Sequence, residues 1–169
     1  MPLNPYDASV GLFVRGLGNL KVVLTKGEAH AVAHGMDPVE LIEARLAPGM
    51  YDLAVQVHWS AEGAKLAVGR LVGKVAKPAA SDAKSFADLH RQIDATVAHL
   101  LGIDRGELET GLERTIEIEH RGETTKFGGS QFLFEMAIPG FYFHLTTAYG
   151  ILRHKGVDVT KGDFMGGLG

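Results

Sequence analysis

The chain has no cysteine, which removes disulfides, thiolate nucleophiles and sulfur-ligated zinc or iron-sulfur centres in one step. Only His, Asp and Glu remain as side-chain metal ligands. There is no excess of positive charge either. Lys and Arg number 17 against 20 Asp and Glu, a formal net charge of -3, and the mixed signs leave no basic stripe of the kind that tracks a phosphate backbone. Nucleic acid is not an expected partner. The N-terminus lacks a basic region followed by an apolar run, and no uninterrupted apolar run approaches the roughly 20 residues of a membrane span. The expectation is a cytoplasmic protein without a membrane partner. No internal repeat or linker divides the 169 residues, so a single domain over 1–169 is expected, burying about two thirds of its unfolded surface. The Gly-Gly pairs at 128 and 166 follow no nucleotide-binding strand and do not make a phosphate loop.

What is present is helical periodicity. The stretch 130–154, SQFLFEMAIPGFYFHLTTAYGILRH, repeats apolar residues at Phe134, Ile138, Phe141, Leu145, Ala148 and Leu152, the three-and-four spacing of a core helix. Tyr142, Phe143 and Tyr149 make it apolar on nearly every side, so other elements should wrap around it. Ser130 reads as its cap, and Pro139 with Gly140 should kink its axis. A first helix is expected from about Asp7, read as its N-cap, to His34, with Val10, Phe13, Val14, Leu17, Leu20, Leu24 and Ala31 on one face and Gly35 as its left-handed stop. Its Gly11, Gly16, Gly18 and Gly27 mean either close approach of another element or tolerance in a well-packed core.

Asp37-Pro38-Val39-Glu40 starts a short helix that carries Leu41, Ile42 and Leu46. A second long helix runs from about Tyr51 to Lys74, with Ala54, Val57, Ala61, Ala64, Val68 and Leu71 as its seam and His58 at the seam's edge. The segment 76–84 is a loop. Ser85 caps a third long helix with the stripe Phe86, Leu89, Ile93, Val97 and Leu100, ended by Gly102. The period changes only between Asp104 and Gly129, where Arg114 to Glu119 alternates and Arg121-Gly122-Glu123 turns, reading as a hairpin after which Gly128-Gly129 frees the chain to turn. In the glycine-rich tail after Gly156 only Val157, Val159, Phe164 and Met165 can anchor. These seams predict an all-α, four-helix bundle with a small β-hairpin inserted before the last long helix.

The opening YDASVGLFVRGLGNL, the turn DPVELIEARLAPGM and above all PGFYFHLTTAYGILRHKGV resemble a bacterial branch of the DinB/YfiT-like superfamily, a domain of unknown function, over nearly the whole chain. The resemblance implies a four-helix bundle, often dimeric. In relatives it also implies a divalent metal held by one His on the second helix and an H-x3-H pair on the last, used for hydrolase-like or thiol-transfer chemistry. His58 matches the first ligand and His144 the first of the pair. The second of the pair is Ala148, which has no ligand atom. His154 lies ten residues beyond His144, about 15 Å along the axis and about 80° around it, and cannot share its ion.

The candidate ligand pocket is therefore His58, His144 and Tyr149, between the second and fourth long helices and without a metal. An alternative set, His58, Glu62 and His144, offers two imidazoles and one carboxylate for an ion such as zinc or nickel. Against it, Glu62 on an outward face would meet only solvent or Lys65. His30 and His34, one turn apart, could also span a metal, although cationic side chains suit a helix C-terminus anyway. Tyr142 and Tyr149 read as packing or interface residues, and no serine has a nucleophile-elbow setting. Two functions of different class remain: a metal-free protein that binds a small molecule or a partner, and a divalent-metal hydrolase or thiol transferase using His58 and His144. A homodimer is expected from the apolar circumference of the last helix, with the first helix as its neighbour across the interface.

Overall fold

The first long helix is entered three residues earlier than its sequence suggests in the computed structural model, which describes residues 4–167. The Asn4 side chain accepts the Tyr6 N–H at 2.9 Å, and Asp7, expected as the cap, is already inside a π-helical turn, Asp7–Gly11, that runs into α1 (Leu12–His34). Gly35 at φ 59° ends α1 as expected. Asp37 then caps α2 (Pro38–Ile42) by accepting the Val39 N–H at 3.0 Å. The short helix stops before Leu46, which is largely exposed.

Asp52 accepts the Val55 N–H at 3.0 Å and opens α3 (Leu53–Leu71). Gly73 at φ 74° stops it before Lys74. Ser85 caps α4 (Phe86–Leu101) through the Asp88 N–H at 3.1 Å. Asp104 caps a short α5 (Arg105–Gly111), a helix outside the expected set.

β1 (Thr115–His120) and β2 (Glu123–Gly128) pair antiparallel, with Ile116 opposite Phe127 and Ile118 opposite Thr125. Arg121 and Gly122 both have positive φ, 52° and 82°, the tight turn that matches strand twist. Ile116 is buried and Ile118 and Phe127 are half-buried against the helices, so one face of the hairpin packs on the core.

Beyond the hairpin, α6 (Gly129–Gln131), a second π-helical turn (Phe132–Ala137) and α7 (Ile138–His154) form one continuous run. Ser130 is not its cap: Gly128 holds that position, with no side-chain bond. Pro139 sits in the first turn of α7 and its missing donor is absorbed by the π-helical turn before it. That turn carries an extra residue, which rotates everything upstream. Leu133 therefore takes the core position expected of Phe134 and is fully buried, while Phe134 is 47% exposed.

The long helices pack in a ring, α3 on α7 and α4, and α1 on α4 and α7. Phe13, Leu17, Val57, Ile93, Phe141 and Leu145 lie in the shared core, as their seams predict. The π-helical turn and α1 together, Asp7–His34, are long and apolar enough to cross a bilayer by length and composition, but half of that window is buried in the protein. Its glycines separate into two kinds. A Cβ on Gly16 would stand 2.6 Å from the Phe141 ring and one on Gly27 would stand 3.1 Å from Leu152, whereas Gly18 faces nothing within 4 Å. Close approach by α7 explains the first two, and tolerance the last.

The tail folds back. Val157 and Val159 are buried, and α8 (Lys161–Met165) is closed by a capping box between Thr160 and Asp163. Lys26 Nζ meets Asp163 Oδ2 at 2.7 Å, and the Asn19 amide donates to the Phe164 carbonyl at 2.9 Å, pinning α8 to α1.

Candidate functional site

α3 presents two polar faces, because residues one turn apart align and neighbours diverge by about 100°. On one lie His58, Glu62 and Lys65; on the other, Trp59, Gly63 and Arg70. The sequence reading expected His58 and His144 in one cavity. The structure sends them to different partners.

His58 is 2% exposed, with Nδ1 2.7 Å from Gln92 Nε2 on α4. Burial lowers the His58 pKa from its ordinary value, with the Glu62 charge and the Ala79 backbone pulling partly the other way. Glu62 is 3% exposed and does not face outward as expected. Its carboxylate pairs with Lys65 at 2.7 Å, as anticipated, and also accepts the Ala79 N–H at 3.1 Å. The connection 72–85 lies over this face, so a solvent position on α3 alone becomes a buried one once the loop is laid down. His58 and Glu62 thus fasten α4 and the loop to α3.

His144 meets Gln56, not His58. Its Nδ1 is 2.8 Å from Gln56 Oε1, and the Gln56 amide donates to the Tyr51 carbonyl at 3.3 Å, which fixes the amide's orientation. His144 is then the donor through Nδ1. Burial lowers its pKa, which favours the neutral ring, and Nε2 has no hydrogen-bond partner among the described residues.

His144 lines a cavity of about 350 Å³ between α3, the second π-helical turn, α7 and the hairpin. Trp59, Leu66, Phe132, Met136 and Phe141 make its apolar wall, and Arg70 is its charged group. The Trp59 and His144 rings stand 6.5 Å apart and 28° from parallel. Trp59 also lies edge-on to His58, with centroids 5.3 Å apart. His58 itself is not in the cavity wall, nor is Tyr149. Tyr149 packs edge-on to Phe164 and its hydroxyl reaches the Val159 carbonyl at 3.4 Å, holding the tail on α7.

A larger cleft of about 440 Å³ lies between α1, α7 and α8. Of its polar groups, Arg15 and Asn19 already donate to the Met165 and Phe164 carbonyls and Asp7 lies 4.0 Å from the Arg105 guanidinium, which makes it the seam where the tail docks.

Neither the metal set implied by the resemblance nor the alternative set of His58, Glu62 and His144 is gathered among the described residues. His58 is turned to α4, Glu62 is held by Lys65 and Ala79, and Ala148 is fully buried with no ligand atom. Among the described residues no group of three or more His, Asp or Glu side chains gathers to hold an ion. His30 and His34 stack, with centroids 4.1 Å apart, and His34 Nδ1 is turned to the His30 carbonyl at 2.9 Å. His154 is exposed at the end of α7.

Gln56, Trp59 and Arg70 were missed in the sequence. Gln56 follows Leu53 and precedes Ser60 on the buried face of α3, and a polar residue in a seam was the signal for it. The only Trp in the chain was the other.

No curated protein matches the chain. A crystal structure of a DinB family member protein from Shewanella denitrificans is similar to it, with 36% identity and a TM-score of 0.89 over 96% of this chain and 92% of that one. The model of a domain of unknown function, DUF1993, matches residues 5–165. With that match across almost its whole length and a DinB-like fold beside it, the chain belongs to the DUF1993 family of the DinB-like superfamily.

Proposed function

We propose that this protein is a four-helix-bundle binding protein that holds a small organic molecule in the cavity beside His144, without a metal. The observation that carries the reading is the contrast between the two histidines. His58 and Glu62 are engaged in holding the fold, while His144 Nε2 has no partner among the described residues and its ring lines an apolar cavity of about 350 Å³, a size and lining typical of small-molecule sites. The π-helical turn Phe132–Ala137 supplies part of the wall, and such turns occur often at functional sites.

Thermal melts with and without equimolar zinc or nickel test this. His144→Ala is expected to lose about 1 to 3 kcal/mol, the range for leaving the buried Gln56 oxygen unpaired, with or without metal. The wild-type melting temperature should not respond to the ions. A gain of several degrees in the wild type, absent in both His144→Ala and His58→Ala, would replace this reading with a divalent-metal hydrolase or thiol transferase.

We also propose that the protein is a homodimer. Phe134, Met136, Tyr142 and Phe143 are exposed around the run 132–143, Phe143 at 57%, and large apolar side chains left exposed on several sides of a helix favour association. Sedimentation at tens of micromolar should return twice the mass of 18.1 kDa; a single monomeric species there would contradict it, because a standard-size interface is still formed at about that concentration.

A further inference from the structure

We infer that the ligand of this cavity is a small monocarboxylate, with its apolar body against Trp59 and Phe132 and its carboxylate on Arg70. This deepens the reading of the cavity as a binding site and rests on it. Arg70 lines both the cavity beside His144 and a second cavity of about 430 Å³ at the hairpin, where Arg114 and Glu117 also stand. It therefore sits at the junction between two open clefts, the one beside His144 walled mainly by apolar side chains.

Its guanidinium has no ion pair and no hydrogen bond among the described residues. The neighbouring carboxylate, Glu117, is taken by Lys126 at 2.8 Å. Every acidic side chain that forms an ion pair does so with a different cation: Lys74 with Glu107, Lys65 with Glu62, Lys21 with Asp94. Arg70 is half-buried on the last turn of α3, and burial there disfavours its charge. A partly desolvated cation without a counter-ion attracts an anion that brings its own apolar body into the adjoining chamber.

One half-buried positive charge calls for one negative charge. Arg114 lines the hairpin cleft but not the cavity beside His144, so an anion seated in that cavity meets one cation, Arg70, and a dianion there would carry surplus charge. The planar fork of Arg70 suits a carboxylate bidentately. The free Nε2 of His144 then accepts a hydrogen bond from any O–H or N–H on the ligand body, or is left facing water.

The chain's single tryptophan is in the cavity wall, so its fluorescence reports occupancy without a label. The probes are phenylacetate, 3-phenylpropionate and 4-phenylbutyrate, each against its neutral amide, with phenyl phosphate as the dianion. The acids should bind about tenfold more tightly than their amides, the effect of one charge-assisted contact, and more tightly than phenyl phosphate. Arg70→Gln should remove the acid's advantage and leave the amide's affinity within about twofold. Gly63→Leu, at a cavity position where a Cβ meets nothing within 4 Å, should abolish binding of both while the protein stays folded by circular dichroism.

An amide that binds as well as its acid, an acid preference that survives Arg70→Gln, or tighter binding of phenyl phosphate overturns the monocarboxylate assignment and leaves the cavity standing as a site. Binding of neither acid nor amide at millimolar concentration overturns both.

Discussion

Phe13→Ala is expected to lose about 4 kcal/mol of stability, the range for emptying a fully buried aromatic position. Phe13 on α1 is 0% exposed and meets Phe141 on α7 edge to face, with centroids 4.9 Å apart. Phe141 in turn lies in the notch left by Gly16. The two rings and the glycine lock α1 to α7, and no small rearrangement refills the space. Phe141→Ala should cost a similar amount and the double variant should fall short of the sum by about 0.5 to 1.5 kcal/mol, the share belonging to the ring pair. Urea unfolding of the four proteins gives the cycle. Strictly additive losses would mean that the edge-to-face contact contributes nothing beyond burial. Against a total of about 5 to 15 kcal/mol for a domain, either single change removes a large fraction.

The second large effect is expected at Gly129. An alanine Cβ there would stand 2.2 Å from the Gly111 carbonyl oxygen and 2.9 Å from the backbone of Leu112. Backbone atoms cannot rotate aside as a side-chain tip can. Gly111 is hemmed in by the next layer, its own Cβ position lying 2.5 Å from the Leu71 carbonyl oxygen. The end of α3, α5 and the exit of the hairpin thus stack backbone on backbone, tied by the Gly129 N–H donating to the Arg114 carbonyl at 2.7 Å. Gly129→Ala should lose about 3 kcal/mol, as overpacking against immobile atoms does. Gly128→Ala, one residue away in an extended backbone with nothing within 4 Å, should stay within about 0.5 kcal/mol. Equal midpoints for the two variants in urea would show that the stack is looser than these distances.

The sequence expected Gly128-Gly129 to free the chain for a turn. Neither residue adopts a positive φ. Gly129 is glycine because three backbones meet there, a fact that local periodicity cannot hold, since Leu71, Gly111 and Gly129 are 40 and 18 residues apart in turn. The same limit governs the candidate site. His144 was legible as a polar group on an apolar helix. Its partner was not, because choosing Gln56 over His58 depends on how α3 is rotated against α7.

Fixed locally, and readable without the fold, were the helix starts at Asp37 and Ser85, the left-handed stop at Gly35, the hairpin turn at Arg121-Gly122 and the buried faces of Phe13, Val57 and Ile93. Each follows from residues within one helical turn or one strand pair, where side chain and backbone meet regardless of what lies beyond. Tertiary structure alone decided the rest. The π-helical turn before Pro139 shifted the core from Phe134 to Leu133, the connection 72–85 buried Glu62, and the rotation of α3 put Trp59 and Arg70 with His144 while turning His58 to α4. These depend on one element lying against another, and the energy that sets them, burial and paired polar groups across long chain separations, has no counterpart in the local pattern.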